Sequence, residues 1–287
     1  MNLEAVRDYQ FPVLQCRYTA QDTCLYALSV GAGESPLDAK ALRFVYEKQL
    51  QALPTMASVL GTPEPWIRNA EIGINYRKLL HGEQSLSIHR ALPAEGLVEA
   101  HHRVLAVEDR GDQIGAVLHF ERQIFDAESG VLLCTVTAAL VLRGDGGCGS
   151  FGAMPPSARA APSNLLSTPP DFVDAVQTSE RAALLYRLNG DLNPLHVDPE
   201  AAQTAGFDRP ILHGLCTYGM AGYRIVRGLC DHDASRLRSL QVRFKSPVYA
   251  GETLQIEGWR VSGGLHFQAT VPARQKVVLS HGYAGLE

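Results

Sequence analysis

Apolar and polar residues alternate at the two-residue period of a β-strand over several stretches of the chain. From Gln84 to His89, Leu86 and Ile88 share one face. Leu97 to Glu108, Gln113 to Phe125 and Val131 to Leu142 are rich in Val, Leu, Ile and Thr. Turn residues such as Asp109-Arg110-Gly111-Asp112 separate them. The theme returns in Ser239 to Pro247, Thr253 to Val261, Leu265 to Val271 and Lys276 to Tyr283, where Ser262-Gly263-Gly264 reads as a hairpin connection. Helices are predicted over Ala20 to Val30, Glu180 to Leu188 and Gly214 to Leu229. In the last, Leu215, Tyr218, Met220, Tyr223, Ile225 and Val226 can supply an apolar face. Helices followed by an antiparallel meander occur twice, which is an α+β pattern.

The two runs are separated by Arg143 to Pro170, where five Gly, five Pro and four Ser make up half of 28 residues. That is linker composition, and it begins at the midpoint. The division expected is residues 1–142, a connection at 143–170, and residues 171–287. The halves also echo each other. Thr19 to Leu28 resembles Ser179 to Leu188, each a hydroxyl residue suited to an N-cap followed by helix formers. Gly82-Glu83-Gln84-Ser85-Leu86 resembles Gly251-Glu252-Thr253-Leu254 in the same order. Both matches suggest a duplicated unit.

Composition narrows the class. Of 287 residues 46% are apolar and 20% charged, which suits a globular protein with a sizeable core. The net charge of −4 and the lack of a basic run argue against nucleic acid, whose binding rests on phosphate neutralisation. No apolar stretch is long enough to span a bilayer. The first residues lack the basic flank and apolar run of a signal peptide, and the last residues, Ala284-Gly285-Leu286-Glu287, are not a peroxisomal address. A cytoplasmic protein is the expectation. The six cysteines are scattered with no CxxC, so reduced thiols are expected.

The densest polar cluster is Asn189-Gly190-Asp191-Leu192-Asn193-Pro194-Leu195-His196-Val197-Asp198-Pro199, a loop broken by two prolines. Asp198 and Pro199 read as an N-cap and first position of a helix. A turn needs no imidazole, so His196 and Asp191 invite another account. Across a Pro-stiffened bend they can face one small volume and share a water, since His titrates near neutrality and Asp can accept. Metal ligation and structural hydrogen bonding account for the same spacing. Further on, a Pro-terminated loop leads through His213 to Gly214, which opens the longest predicted helix. Free N–H groups at a helix N-terminus form a natural oxyanion site, and a tight helix start is the plainer alternative. His213 is equally suited to a cap or a core contact.

Tyr186-Arg187-Leu188-Asn189-Gly190-Asp191-Leu192-Asn193-Pro194-Leu195-His196-Val197-Asp198 resembles the hydratase 2 motif of MaoC-like (R)-specific enoyl-CoA hydratases. The likeness continues through Gly206-Phe207, Pro210-Ile211-Leu212-His213-Gly214-Leu215 and Thr217. In the first half Tyr18-Thr19, Asp22, Leu25-Tyr26-Ala27-Leu28, Val30-Gly31-Ala32, Leu53-Pro54-Thr55 and His81-Gly82-Glu83-Gln84 are similar to the N-terminal half of two-domain members. The resemblance implies a double hotdog: two antiparallel sheets, each wrapped on a helix, forming a pseudo-dimer in one chain. It implies catalysis by Asp191 and His196, with Asn193 holding the loop or the water and the Gly214 N–H stabilising an enolate-like thioester oxygen. The reaction would be syn hydration of a trans-2-enoyl-CoA to the (R)-3-hydroxyacyl-CoA, without metal or redox cofactor.

Aligned on the echo, Asp191 faces Gly31 and His196 faces Pro36. One active site per chain is expected, and the resemblance implies a first half opened to admit medium or long acyl tails. His81 and the adjoining Gly82, His213, Arg243 and Lys245 are carried as substrate-binding candidates, the two cations for CoA phosphates. A homodimer is expected from the family. Competing readings are a hydratase of dicarboxylic, branched or carrier-protein thioesters, a non-catalytic acyl-CoA-binding subunit, and a metal hydrolase built on Asp191, His196 and His213.

Overall fold

The computed structural model describes every residue except Pro36 and residues 157–159. The first half begins with helix α1 (Leu3–Arg7), strand β1 (Leu14–Tyr18) and helix α2 (Ala20–Ser29). Thr19 caps α2, and its hydroxyl and Asp22 form a reciprocal capping box. Four long strands follow: β2 (Leu79–Ile88), β3 (Gly96–Asp109), β4 (Ala116–Asp126) and β5 (Leu132–Leu142). Among its described residues the connection carries the two-residue strand β6 (Phe151–Gly152) and the single turn α3 (Ser163–Leu166). The second half runs β7 (Phe172–Gln177), α4 (Ala182–Tyr186), α5 (Pro199–Thr204), α6 (Gly214–Leu229), β8 (Leu237–Phe244), β9 (Thr253–Val261), β10 (Gly264–Val271) and β11 (Lys276–Leu286).

The strand order β1-β3-β4-β5-β2 in the first half is repeated as β7-β9-β10-β11-β8 in the second. This is one unit written twice, as the double hotdog requires. The two sheets are not separate, however. β2 and β8 pair antiparallel from Glu83 opposite Arg243 to Ser87 opposite Ser239. One continuous sheet results, and Leu86 and Leu240 are fully buried at its central seam.

Three expectations need correction. The opening strand of each half, β1 and β7, adds to the strands expected, and burial alternates along both. The echo of Gly82–Leu86 with Gly251–Leu254 is not an equivalence. The former lies in β2, while the latter leads into β9, whose topological counterpart is β3. The α2 and α4 echo does join equivalent elements, although α4 is short and passes at once into a 3-10 turn, Arg187–Asn189.

The third correction concerns the wrapped helix, which among the described residues only the second half possesses. Helix α6 has 16 residues and spans about 24 Å; its residues from Cys216 to Val226 are all buried. In the corresponding place the first half has a 3-10 segment, Pro54–Ser58, of five residues, about 10 Å long. This segment packs on α6 as well as on β2 and β5. A Cβ at Gly222 would stand 2.7 Å from Thr55 Cγ2, so glycine permits that approach. Part of the first sheet is therefore left without a helix over it.

Candidate active site

Gly190, at φ +111°, ends the 3-10 turn after α4 in a left-handed conformation and releases the chain into the motif loop. Asn189 holds the start of this loop: its amide donates to the Tyr186 carbonyl at 2.8 Å and to Ser29 Oγ of α2 at 3.0 Å. Asp191 Oδ1 then accepts the Asn193 N–H at 3.2 Å. Asn193 Oδ1 accepts the Leu195 N–H at 3.1 Å and caps the turn Pro194–His196. Asn193 thus shapes the loop through hydrogen bonds of its own. Asp198 caps α5, with Pro199 at its first position.

His196 is buried. Its Nδ1 lies 2.8 Å from the Ile211 carbonyl. A carbonyl can only accept, so Nδ1 carries the proton and Nε2 presents a lone pair. The same logic applies to His213, whose Nε2 donates to the Asp191 backbone carbonyl at 3.2 Å. Its Nδ1 is buried without a partner. The two imidazoles stack with centroids 3.8 Å apart. Burial holds the pKa of His196 below its ordinary value, against the pull of the Ile211 bond and of Asp191. Burial, and then the neighbouring His196, bring His213 down to about 4. Both rings are consequently neutral near neutrality, and His196 is in the form that accepts a proton.

One ligand-type atom from each of Asp191, His196 and His213 lies within 4.8 Å of the others. That grouping is small enough to take a cation as well as a water.

Gly214 is the first residue of α6. The helical ladder begins with the Cys216 and Thr217 N–H groups donating to the His213 carbonyl. The Gly214 N–H lies ahead of it, at the positive end of a 16-residue helix. A Cβ at Gly214 would meet the Phe244 ring at 3.2 Å. The half-buried His81 packs edge-on against that same ring, with centroids 5.0 Å apart, and its Nε2 bonds to the Glu83 carbonyl. Burial lowers its pKa to about 4.

Asp191, Asn193, His81 and Leu215 border a cavity of about 550 Å³. Its floor is the uncovered first sheet. Phe120 and Arg122 of β4, Val136, Ala138 and Leu140 of β5, and Gln84 of β2 face it at the two-residue spacing of one sheet face. The loop Thr62–Arg68 closes the far side. The first half thus supplies cavity floor and no counterpart of the Asp191–His196 pair at the echoed positions. Gly31, opposite Asp191 in the echo, turns at φ +88° and its Cβ position faces Glu34, Val176 and Arg224. The fully buried Arg224 pairs there with Glu34. Pro36 lies outside the described residues.

The remaining candidates fall elsewhere. Gly82 occupies a β-bulge between His81 and Glu83, and a Cβ there would stand 2.8 Å from Val141 Cγ2; close packing accounts for the glycine. Arg243 is committed to Glu83 across the β2–β8 seam, with Nε 2.8 Å from Oε1, so it is not a spare cation. Lys245 is exposed and joins no ion pair among the described residues. Sequence reasoning missed Arg122. It is 5% exposed and donates to Thr62 Oγ1 and to the Ala57 and Ser58 carbonyls. Its signal was there: Leu118, Phe120, Arg122 and Ile124 share the inward face of a strand. Trp66 and Tyr186, both in the cavity wall, were also passed over as site residues.

A double hotdog with one Asp–His pair, a helix N-terminus beside it and a chamber lined by both halves is a candidate acid–base site beside an apolar pocket. Residues 16–144 match the MFE-2 hydratase 2 N-terminal domain and residues 162–281 the MaoC-like domain. The peroxisomal enoyl-CoA hydratase 2 of Arabidopsis thaliana is 36% identical over 99% of this chain and 95% of its own length. The peroxisomal multifunctional enzyme type 2 of Mus musculus is 35% identical over 97% of the chain, which spans 38% of that larger protein. The MaoC-like dehydratase from Phytophthora capsici superposes with a TM-score of 0.85 at 30% identity, covering 100% and 99% of the two chains. A Mycobacterium tuberculosis protein with a double hotdog fold, 14% identical, shares the fold at a TM-score of 0.57 over 95% and 92% of the chains. The chain belongs to the MaoC-like, hydratase 2 family.

Proposed function

We propose that this protein catalyses the reversible, (R)-specific hydration of trans-2-enoyl-CoA thioesters with medium or long acyl chains. The observation that carries this reading is the meeting of Asp191 and the unprotonated Nε2 of His196 beside a chamber floored by the first half's uncovered sheet. A water held between Asp191 and His196 donates a hydrogen bond to each. Its oxygen attacks C3 of the enoyl group while one proton is taken up by the pair. The pair then returns a proton to C2 on the same face, so H and OH are added in balance. Negative charge building on the thioester oxygen is met by the Gly214 N–H. Asn193 keeps the loop in shape, and the acyl tail extends toward Phe120 and Trp66.

The reaction needs no metal or redox cofactor on this reading, although Asp191, His196 and His213 are grouped closely enough to suit a cation. Exhaustive chelation separates the two: activity is retained for acid–base hydration and lost for a metal hydrolase. CoA phosphates would fall to Lys245 and to Arg209, which is exposed and borders a smaller hollow lined by His196. A homodimer is the assembly we propose, supported by Leu28, Leu184, Leu188 and Leu192, which are exposed on and near α2 and α4; light scattering tests it. No helix among the described residues is long and apolar enough to cross a membrane.

The deciding experiment follows loss of the conjugated thioester absorbance with crotonyl-, decenoyl-, branched and dicarboxylic enoyl-CoAs, and determines product configuration. Hydration of unbranched decenoyl-CoA to the (R)-alcohol is expected. Binding without turnover, unchanged in Asp191→Asn, would instead make this a non-catalytic acyl-CoA-binding protein.

A further inference from the structure

The catalytic chamber has a neighbour. A second cavity, of about 540 Å³, lies between Tyr9, Phe11, Pro12 and Leu14 on one side and Pro63 to Trp66 on the other. Pro63, Glu64, Pro65 and Trp66 also line the catalytic chamber. The two cavities are thus separated by a wall one segment thick, and its largest side chain is the indole of Trp66.

This wall is fastened at its base. His102 Nε2 donates to the Gly61 carbonyl at 2.9 Å, and Arg122 Nη1 donates to Thr62 Oγ1 at 3.0 Å. Trp66 is 8% exposed and is held on both sides by aromatic rings. Phe120, from the chamber floor, stacks at 6.0 Å. Phe11 and Tyr9, from the second cavity, lie at 5.0 and 5.3 Å. Two prolines flanking Glu64 further limit how far the segment can bend.

We propose that Trp66 is the chain-length stop of this enzyme, and that the aromatic-lined second cavity would accept the distal methylenes of longer aliphatic acyl chains once the indole is removed. The proposal rests on the hydratase reading of the chamber. It assigns the limit on tail length to one side chain far along the sequence from Asp191 and His196.

The test measures kcat/KM for crotonyl-, decenoyl-, hexadecenoyl- and tetracosenoyl-CoA. Trp66→Ala raises the hexadecenoyl-to-crotonyl ratio, by up to about fourfold for each methylene newly enclosed. Adding Leu14→Trp, which places a second indole in that cavity, diminishes that gain. Leu14→Trp alone leaves the wild-type ratios unchanged, because the wall already shuts that space off. An unaltered ratio in Trp66→Ala, or a gain that Leu14→Trp leaves undiminished, overturns the proposal. Should Trp66→Ala fail to fold, a loss of long-chain turnover in the Leu14→Trp single variant overturns it equally, because the wall would then be open in the wild type. Failure of the hydratase reading looks different: no enoyl-CoA of any length is hydrated by the wild type.

Discussion

His213 should make the fold acid-sensitive by a calculable amount. It is 1% exposed, and burial beside His196 brings its pKa down to about 4, against about 6.5 for a free imidazole. The folded state therefore holds fewer protons than the unfolded chain between these values. The sign follows: stability is full above about pH 6.5 and is lost as pH falls toward about 4. A gap of about 2.5 units corresponds to about 3 kcal/mol at about 1.36 kcal/mol per unit. About 2 kcal/mol of it has gone by about pH 5, which lowers Tm by roughly 4–8 °C in a chain of this size. The perturbation that isolates this contribution is His213→Gln. Glutamine keeps an N–H donor for the Asp191 carbonyl and does not titrate. Urea melts of both proteins at pH 8 and pH 5 provide the assay. The variant starts less stable at pH 8 and loses about 2 kcal/mol less than the wild type on acidification. Equal losses in the two proteins would refute the assignment of acid sensitivity to His213.

The catalytic pair, the helix contact and the seam each give a further test. Asp191→Asn and His196→Gln each lower kcat by about 10²–10⁴-fold with the melting profile at neutral pH largely kept. In the wild type the acid limb of kcat/KM has its midpoint below the ordinary histidine value of about 6.5, because burial lowers His196; a midpoint above that value contradicts the site. Gly222→Val drives a side chain into Thr55, and urea denaturation should show a loss of about 1–3 kcal/mol. The Glu83–Arg243 pair is partly exposed, so a double-mutant cycle with Glu83→Gln and Arg243→Gln should yield no more than about 1 kcal/mol of coupling. A larger coupling would mean that charge, and not the apolar contact of Leu86 with Leu240, holds the seam.

The eight long strands and helix α6 were legible because each follows one periodicity for several residues, and burial of one face enforces that periodicity. β1 and β7 were not. Each has five or six residues on an outer edge of the sheet; burial alternates along both, but so short a run repeats the pattern only two or three times, and in β7 the adjacent apolar pairs Phe172-Val173 and Ala175-Val176 blur it in the sequence. The Asp191–His196 loop was legible for a different reason. Its residue types exceed what a turn needs, and its nested caps at Asp191, Asn193 and Asp198 are local. What the sequence hid is long-range. The pairing of Arg243 with Glu83 depends on a register set 160 residues apart, and no local feature distinguishes a spare cation from a paired one. Arg122 had an inward position by alternation, but only the folded chain shows that it faces carbonyls and a hydroxyl.

The missing helix of the first half explains why duplication was useful here. Shortening one helix to the turn Pro54–Ser58 exposes sheet surface that must then be covered by something else. Arg122 ties off the last carbonyls of that turn, at Ala57 and Ser58, and the Thr62–Arg68 loop encloses the space. The first half also lacks the acidic loop position: Gly31 stands opposite Asp191 in the echo, and Arg224 with Glu34 occupies that neighbourhood. One site is given up and the other gains depth. On the proposed hydratase reading, selectivity for the tail and chemistry at the thioester reside in different halves. Substitutions in β4, β5 and the Thr62–Arg68 loop should therefore move KM across a chain-length series, while those in the motif loop should move kcat for every substrate alike.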